Sequence, residues 1–333
     1  YCITRTYIIL MEKRKMRTNE IIESYNHPEV QRLAAAGFGE ADFDVAQTTV
    51  EYSVPDPNSY HGYKTLRSFP TKAVHYRTDT GEPVAIHGTR YNPLSFKDMI
   101  RAARVIISNL SEHVDISGVT ENISVSPNSG MCAVKYRLPA CRYTTPDGDT
   151  MILEILALSS HNGVWSAVFS VGGYQFHCLN GQFTVRNPAA LYKAKHTASL
   201  DINHAIRLIS KATSVMEEEV DLWHEWYNAP MKKLDRVDAF AACANFKGDW
   251  TQLYEDMRDY NKLEHVNNRT FNYLNEVYNK TYFPRMGDNK WAVYNALTDW
   301  STHAPSSSKN TIALSQRRVE KAREVVDNYL LAA

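Results

Sequence analysis

Met151-Ile152-Leu153-Glu154-Ile155-Leu156-Ala157-Leu158, then His161-Asn162-Gly163, then Val164-Trp165-Ser166-Ala167-Val168-Phe169-Ser170-Val171 is the stretch that decides the fold. Two apolar runs rich in β-branched and aromatic residues flank Asn-Gly, a dipeptide in which both members accept positive φ, which is a strong short-range hairpin signal. The same texture extends outward. Runs over 114–142 and 174–185 read as further strands, punctuated by Pro127-Asn128-Ser129-Gly130, Pro146-Asp147-Gly148-Asp149 and Gly172-Gly173. An antiparallel meander is expected. Upstream, 45–54 and 72–88 alternate polar with β-branched or aromatic residues between Asp56-Pro57-Asn58 and Asp79-Thr80-Gly81 turns, and are expected to be strands.

Helical period takes over elsewhere. Ser95 is placed to cap a helix whose apolar positions include Phe96, Met99, Ile100, Ala103, Ile106, Ile107 and Leu110, with Lys97, Arg101 and Arg104 on the expected exposed side. A shorter helix or helix pair is expected over 19–37. From Asp201 a long helix is expected to run to Asn228-Ala229-Pro230, and three or four further helices to fill 233–333. Strands first and helices after give an α+β fold: an antiparallel β-meander sheet backed by a long helix, with a helical C-terminal region. The expected organisation is a disordered or non-native segment over 1–18, a β-rich α+β domain over 19–200, and a helical region over 201–333 that is either a second domain or a layer on the sheet. The opening Tyr1 is not Met, and Met11 and Met16 sit in a basic stretch, so the first ten residues are left out of the fold.

Composition excludes several classes. The 333 residues are 44% apolar and 22% charged, with 37 basic against 37 acidic side chains, which rules out disordered, collagenous and coiled-coil chains and a uniformly basic nucleic-acid coat. Five cysteines, Cys2, Cys132, Cys141, Cys178 and Cys243, form no CxxC pair, so a disulfide framework and a structural zinc site are not expected and a reducing compartment, the cytoplasm, is. No apolar run approaches the roughly 20 residues of a membrane span.

Phosphate-loop, dinucleotide, nucleophile-elbow and HExxH motifs are all missing from the sequence, so no catalytic residue and no cofactor is assigned. His161, His177 with Cys178, His196 and His204 are the densest metal candidates. They lack the tight spacing of metal sites, and neighbours on a strand point to opposite faces, so no metal site is assigned. His224-Glu225 between Trp223 and Trp226 reads as a helix edge packed by its tryptophans.

Charge is partitioned rather than even. Residues 60–105 hold eight basic and three acidic side chains and 130–211 hold eight and four, together net +9, whereas 212–300 hold ten against fifteen. Within the basic half, cations interleave with aromatic residues. Single-stranded nucleic acid suits that mixture, because cations neutralise phosphates and flat rings stack bases without regard to sequence. The candidate nucleic-acid-binding residues are Lys135, Arg137, Arg142, Tyr143, Trp165, Tyr174, Lys193, Lys195, His196, Arg207 and Lys211. Arg207 and Lys211 are one helical turn apart and are expected to share a face. The acidic run Glu217-Glu218-Glu219 with Asp221 reads as a solvated helix face.

Five segments carry a resemblance. Thr78-Asp79-Thr80-Gly81-Glu82 with Val84-Ala85-Ile86-His87-Gly88-Thr89-Arg90-Tyr91-Asn92-Pro93-Leu94, Leu158-Ser159-Ser160-His161-Asn162-Gly163, Phe176-His177-Cys178-Leu179-Asn180-Gly181, Lys195-His196-Thr197, and Trp291-Ala292-Val293-Tyr294-Asn295-Ala296-Leu297-Thr298-Asp299-Trp300 occur in that order. Together they resemble the signature segments of the phage/plasmid-like protein family, a domain of unknown function carried by bacteriophages, prophages and conjugative plasmids. Asn162 stands where that family often has Asp, and Leu179 separates Cys178 from Asn180, so neither Asn162 nor Cys178 is assigned a catalytic role. The resemblance implies a mobile-element setting in which DNA is handled as single strands, in the host cytoplasm. The outline of a curved sheet backed by a long helix is also similar to single-strand annealing proteins of the RecT and Erf kind.

The expected function is therefore non-enzymatic: single-stranded DNA binding, with annealing of complementary strands, by a homo-oligomer that is not membrane-bound. Two alternatives stay open, a host-defence or restriction antagonist that uses the acidic helical half, and a metal-dependent nuclease or hydrolase built on His161, His177 and His196.

Overall fold

Two antiparallel sheets and a succession of helices make up the chain in the computed structural model, so the fold is α+β, with a helical C-terminal region. The structure describes residues 27–55, 64–91, 94–175, 181–183, 191–194, 202–209, 211–249, 253, 268–308 and 311–331. The expectations that fall on 1–18 lie outside them.

The first sheet has the order β1-β2-β3, formed by β1 (Val45–Pro55), β2 (Lys64–Arg77) and β3 (Pro83–Gly88). Val45 pairs with Arg77 and Thr49 with Ala73. The register then shifts, so that Val50 pairs with Phe69 and Pro55 with Lys64. Strand β2 thus begins eight residues before the 72 expected. Pro70 punctuates the sequence there, but it falls in the register shift, where a missing N–H breaks no β1–β2 ladder bond.

The second sheet runs β4-β5-β6-β7-β8, from β4 (Thr120–Val125), β5 (Met131–Thr144), β6 (Thr150–Ser160), β7 (Ala167–Gln175) and β8 (Gly181–Phe183). A further strand, β9 (Leu191–Ala194), pairs with Ala167–Ser170, and β8 pairs with Gly172–Tyr174. Two expected turns differ. Asn162-Gly163 belongs to a longer β6–β7 connection in which Ser160 Oγ accepts from Trp165 N and donates to Trp165 O, both at 2.9 Å, and only Gly163 has positive φ. Gly172-Gly173 lies inside β7. The Gly173 backbone passes so close to Met151 that a Cβ there would stand 2.0 Å from its Sδ, so close approach rather than a turn explains the glycine.

The residues divide into two compact units, one formed by 1–136, 155–170 and 191–210, the other by 137–154, 171–190 and 211–333. In the first, α1 (Pro28–Ala35) packs on α2 (Phe96–Leu110), as does α3 (Ile202–Ile209), which also packs on β9. Ser95 Oγ accepts from Asp98 N at 3.0 Å, the expected cap. Arg104, expected to be exposed, is buried instead. Its guanidinium meets both oxygens of the buried Glu121, at 2.9 and 2.6 Å, and the Gly37 carbonyl at 2.6 Å.

In the second unit the helices are α4 (Ala212–Asn228), α5 (Lys233–Cys243), α6 (Arg269–Val277), a π-helical turn (Tyr278–Tyr282), α7 (Phe283–Met286), α8 (Lys290–His303) and α9 (Thr311–Val326), which ends in a second π-helical turn (Asp327–Leu331). Helix α8 is buried from Trp291 to Ser301 on all sides, which only a central helix can be. The rings of Trp223, Trp291 and Tyr294 lie 5.2–6.0 Å apart around it. Two carboxylates of this unit are met by polar partners: Asp147 accepts from Trp291 Nε1 and pairs with Arg285, and Asp299 accepts from Tyr273 and Tyr282. As expected, Trp223 and Trp226 are buried while His224 and Glu225 are exposed. The single long helix expected from Asp201 is two helices, with Lys211 as the non-helical residue before Ala212. Glu217, Glu218 and Asp221 are solvated as expected, but Glu219 is fully buried.

Candidate nucleic-acid interface

The residues singled out in the sequence meet different fates. On β5, strand alternation puts Lys135, Arg137 and Tyr143 on one face and Arg142 on the other. Arg137 Nε donates to Glu154 at 2.9 Å, and its guanidinium lies 3.5 Å from the centre of the Tyr174 ring. The structure therefore brings Arg137 and Tyr174 together, but a carboxylate neutralises the cation and the guanidinium covers one face of the ring. Tyr143 is half-buried, and burial raises its hydroxyl pKa. Trp165 is only 9% exposed, which corrects its assignment as a stacking surface: the indole fills core space behind the Ser160 clasp.

Lys193 on β9 is exposed, as are Arg142, Arg207 and Lys211. Arg207 lies on α3 in the first unit, and Lys211 is the residue before α4 in the second. Lys195 and His196 lie outside the described residues, as do His177 and Cys178. Among the described residues no group of three or more His, Cys, Asp or Glu is arranged to hold a metal ion.

Two of the signature segments converge in the first unit. His87 and Tyr91 stack at 4.0 Å, and the His75 ring stands edge-on to both, at 5.4 and 5.5 Å. His87 Nε2 donates to the His161 carbonyl at 3.0 Å and Tyr91 OH to the Ser160 carbonyl at 3.1 Å, tying the β3 segment to the connection after β6. His161 itself is buried, its ring parallel to Phe96 at 3.8 Å. His75 is 2% exposed, and burial, followed by the nearby His87, lowers its pKa. Burial pushes the Tyr91 hydroxyl up to about 12. These groups form a packed junction at the root of the first sheet.

From that root β1 and β2 continue past the register shift as a two-stranded arm, Val50–Pro55 against Lys64–Phe69. Cross-strand partners share a face, so Tyr52 with Arg67, Val50 with Phe69 and Val54 with Thr65 form one side, while Glu51, Ser53, Leu66 and Ser68 form the other. Tyr52 is 44% and Phe69 46% exposed, and their rings lie 6.4 Å apart. Arg67, directly opposite Tyr52, is exposed, as are Lys64 and Lys72. Glu51, the one carboxylate in the described strands of the arm, points to the other side. This is the cation-and-ring mixture sought on β5–β7, here exposed to solvent. Sequence reasoning passes over it because 64–71 does not read as a strand. Aligning Val50-x-Tyr52-x-Val54 against Thr65-x-Arg67-x-Phe69 is the signal that finds it.

A family model described as a domain of unknown function, DUF932, matches residues 83–327. The match includes His87, Tyr91, His161 and helix α8, and begins just after the arm. No curated protein matches the chain, and no solved structure does.

Proposed function

The chain belongs to the DUF932 family, and we propose that it is a phage or plasmid protein that binds single-stranded DNA and anneals complementary strands, acting as an oligomer. The observation that carries the reading is the arm: two exposed rings and an exposed guanidinium share one side, from which the arm's described carboxylate is turned away. Cations at Lys64, Arg67 and Lys72 supply the sequence-independent phosphate attraction, and the rings supply stacking that every base satisfies. No nucleotide cofactor is needed, since annealing is driven by the pairing of the strands themselves. Arg137 has a smaller part than its sequence position suggests, because Glu154 already holds it.

The test is a titration of fluorescent oligo-dT at about 50 and about 200 mM salt. The wild-type protein should bind at the lower salt and weaken steeply at the higher. Lys64→Ala, Arg67→Ala and Lys72→Ala combined should reduce the slope of log affinity against log salt by about 2, at roughly 0.7 for each phosphate no longer neutralised. No binding at the lower salt contradicts the proposal.

A further inference from the structure

The geometry points to an unstacked single strand as the ligand of the arm: Tyr52 and Phe69 each stack on one base of adjacent nucleotides, and Arg67 binds a phosphate beside them. This rests on the function proposed above and narrows it to a strand conformation and a place on the protein.

A single base held between two rings needs parallel planes about 7 Å apart, two stacking steps of about 3.4 Å. The ring centres of Tyr52 and Phe69 are 6.4 Å apart, but their planes are inclined by 56°, so one base cannot lie flat on both. Each ring therefore offers its own face to its own base, and the two bases are splayed. Duplex DNA cannot comply, because its bases are parallel, about 3.4 Å apart, and cover one another's faces. An extended single strand can.

The polar groups fit the same occupant. Arg67 is in register with Tyr52 and stands two residues before Phe69 on β2, so all three belong to one face of the arm. Arg67 is the one charged residue that the arm's described strands place on the Tyr52 face, whereas Glu51 and Lys64 lie on the other face. A second copy of the chain suits this face poorly: a two-fold contact would bring two Arg67 charges into one interface without a carboxylate from the same faces. Stacking on base faces leaves the pairing edges unread and open, so binding is indifferent to sequence and the held bases stay free to meet a complementary strand.

The experiment measures affinity by fluorescence anisotropy for oligo-dT, for an abasic strand of the same length and for the corresponding dT·dA duplex, using the full chain, Arg67→Gln, and the double variant Tyr52→Leu/Phe69→Leu. Both rings are exposed, so the variants should fold, which circular dichroism checks. The wild-type protein should prefer oligo-dT over both competitors. The double variant should lose about a hundredfold for oligo-dT, roughly tenfold for each ring, while its salt slope and its abasic-strand affinity stay unchanged. Arg67→Gln should make the salt slope shallower. If the wild-type protein binds oligo-dT and the double variant binds equally well, the inference falls and the wider function stands. Equal wild-type affinity for duplex and single strand also overturns it, as does a change of oligomeric mass in the double variant with binding intact. If the wild-type protein binds no oligo-dT, the wider function fails first.

Discussion

His75 is a buried imidazole whose Nε2 has no hydrogen-bond partner among the described residues, and whose neighbours are the rings of His87 and Tyr91. Burial favours its neutral form, so its pKa in the folded chain lies below the ordinary 6.5. As the pH falls through 6.5 the unfolded chain takes up a proton that the folded chain resists, and stability is lost. His75→Phe removes that titration while keeping a ring at the junction. Chemical unfolding between about pH 7.5 and pH 5 should therefore show a smaller loss of stability in the variant than in the wild-type protein, pH 6.5 being the ordinary imidazole midpoint. Equal losses would show that His75 protonates freely. Single residues are the least legible level of the sequence. Arg104 looks like a surface cation because charged residues usually are, and nothing in its helical phase announces that Glu121 waits for it in the interior. Trp165 looks like a platform if its strand starts at 164, whereas β7 begins at Ala167 and the indole sits in the core.

At the scale of elements the sequence is a better guide where one rule acts alone. Ser95 as cap, the turns at Pro127–Gly130 and Pro146–Asp149, and the end of α4 at Asn228 all follow from local chemistry and stand in the structure. Where two rules compete, the reading fails. Glycine is both a turn residue and a residue of close approach, and Gly173 is the second kind, packed on Met151 of the neighbouring strand. Gly173→Ala should therefore destabilise the chain by about 1–3 kcal/mol, the cost of overpacking a well-filled core. Met151→Ala should make the same glycine change less costly, and a double-mutant cycle in denaturant reads the coupling. Additive effects would mean that Met151 swings clear. The strand expected from 72 begins at Lys64 instead, and Pro70 within it occupies the register shift, where a proline disrupts no β1–β2 pairing.

For the whole molecule, net neutrality conceals a basic half and an acidic half, a partition that counting alone reveals. The count does not say which cations are available. Arg104 and Arg137 are held by Glu121 and Glu154, so these two cations serve internal architecture. The family match covers 83–327, whereas the arm that carries the proposed binding residues is formed by 50–69. Fold class is legible because periodicity and turn chemistry agree along most of the chain. The proposed interface is not, because it depends on a register between two strands that no local pattern reports.

Photocrosslinking locates a bound strand on the protein. The full chain is irradiated with a single-stranded oligonucleotide bearing 5-iodouracil at alternate positions, and the adducts are located by peptide mass spectrometry. Adducts on Tyr52 and Phe69, suppressed by unlabelled oligo-dT and not by duplex, are the predicted result. Adducts confined to β5, β6 and β7 with none on the arm would contradict it.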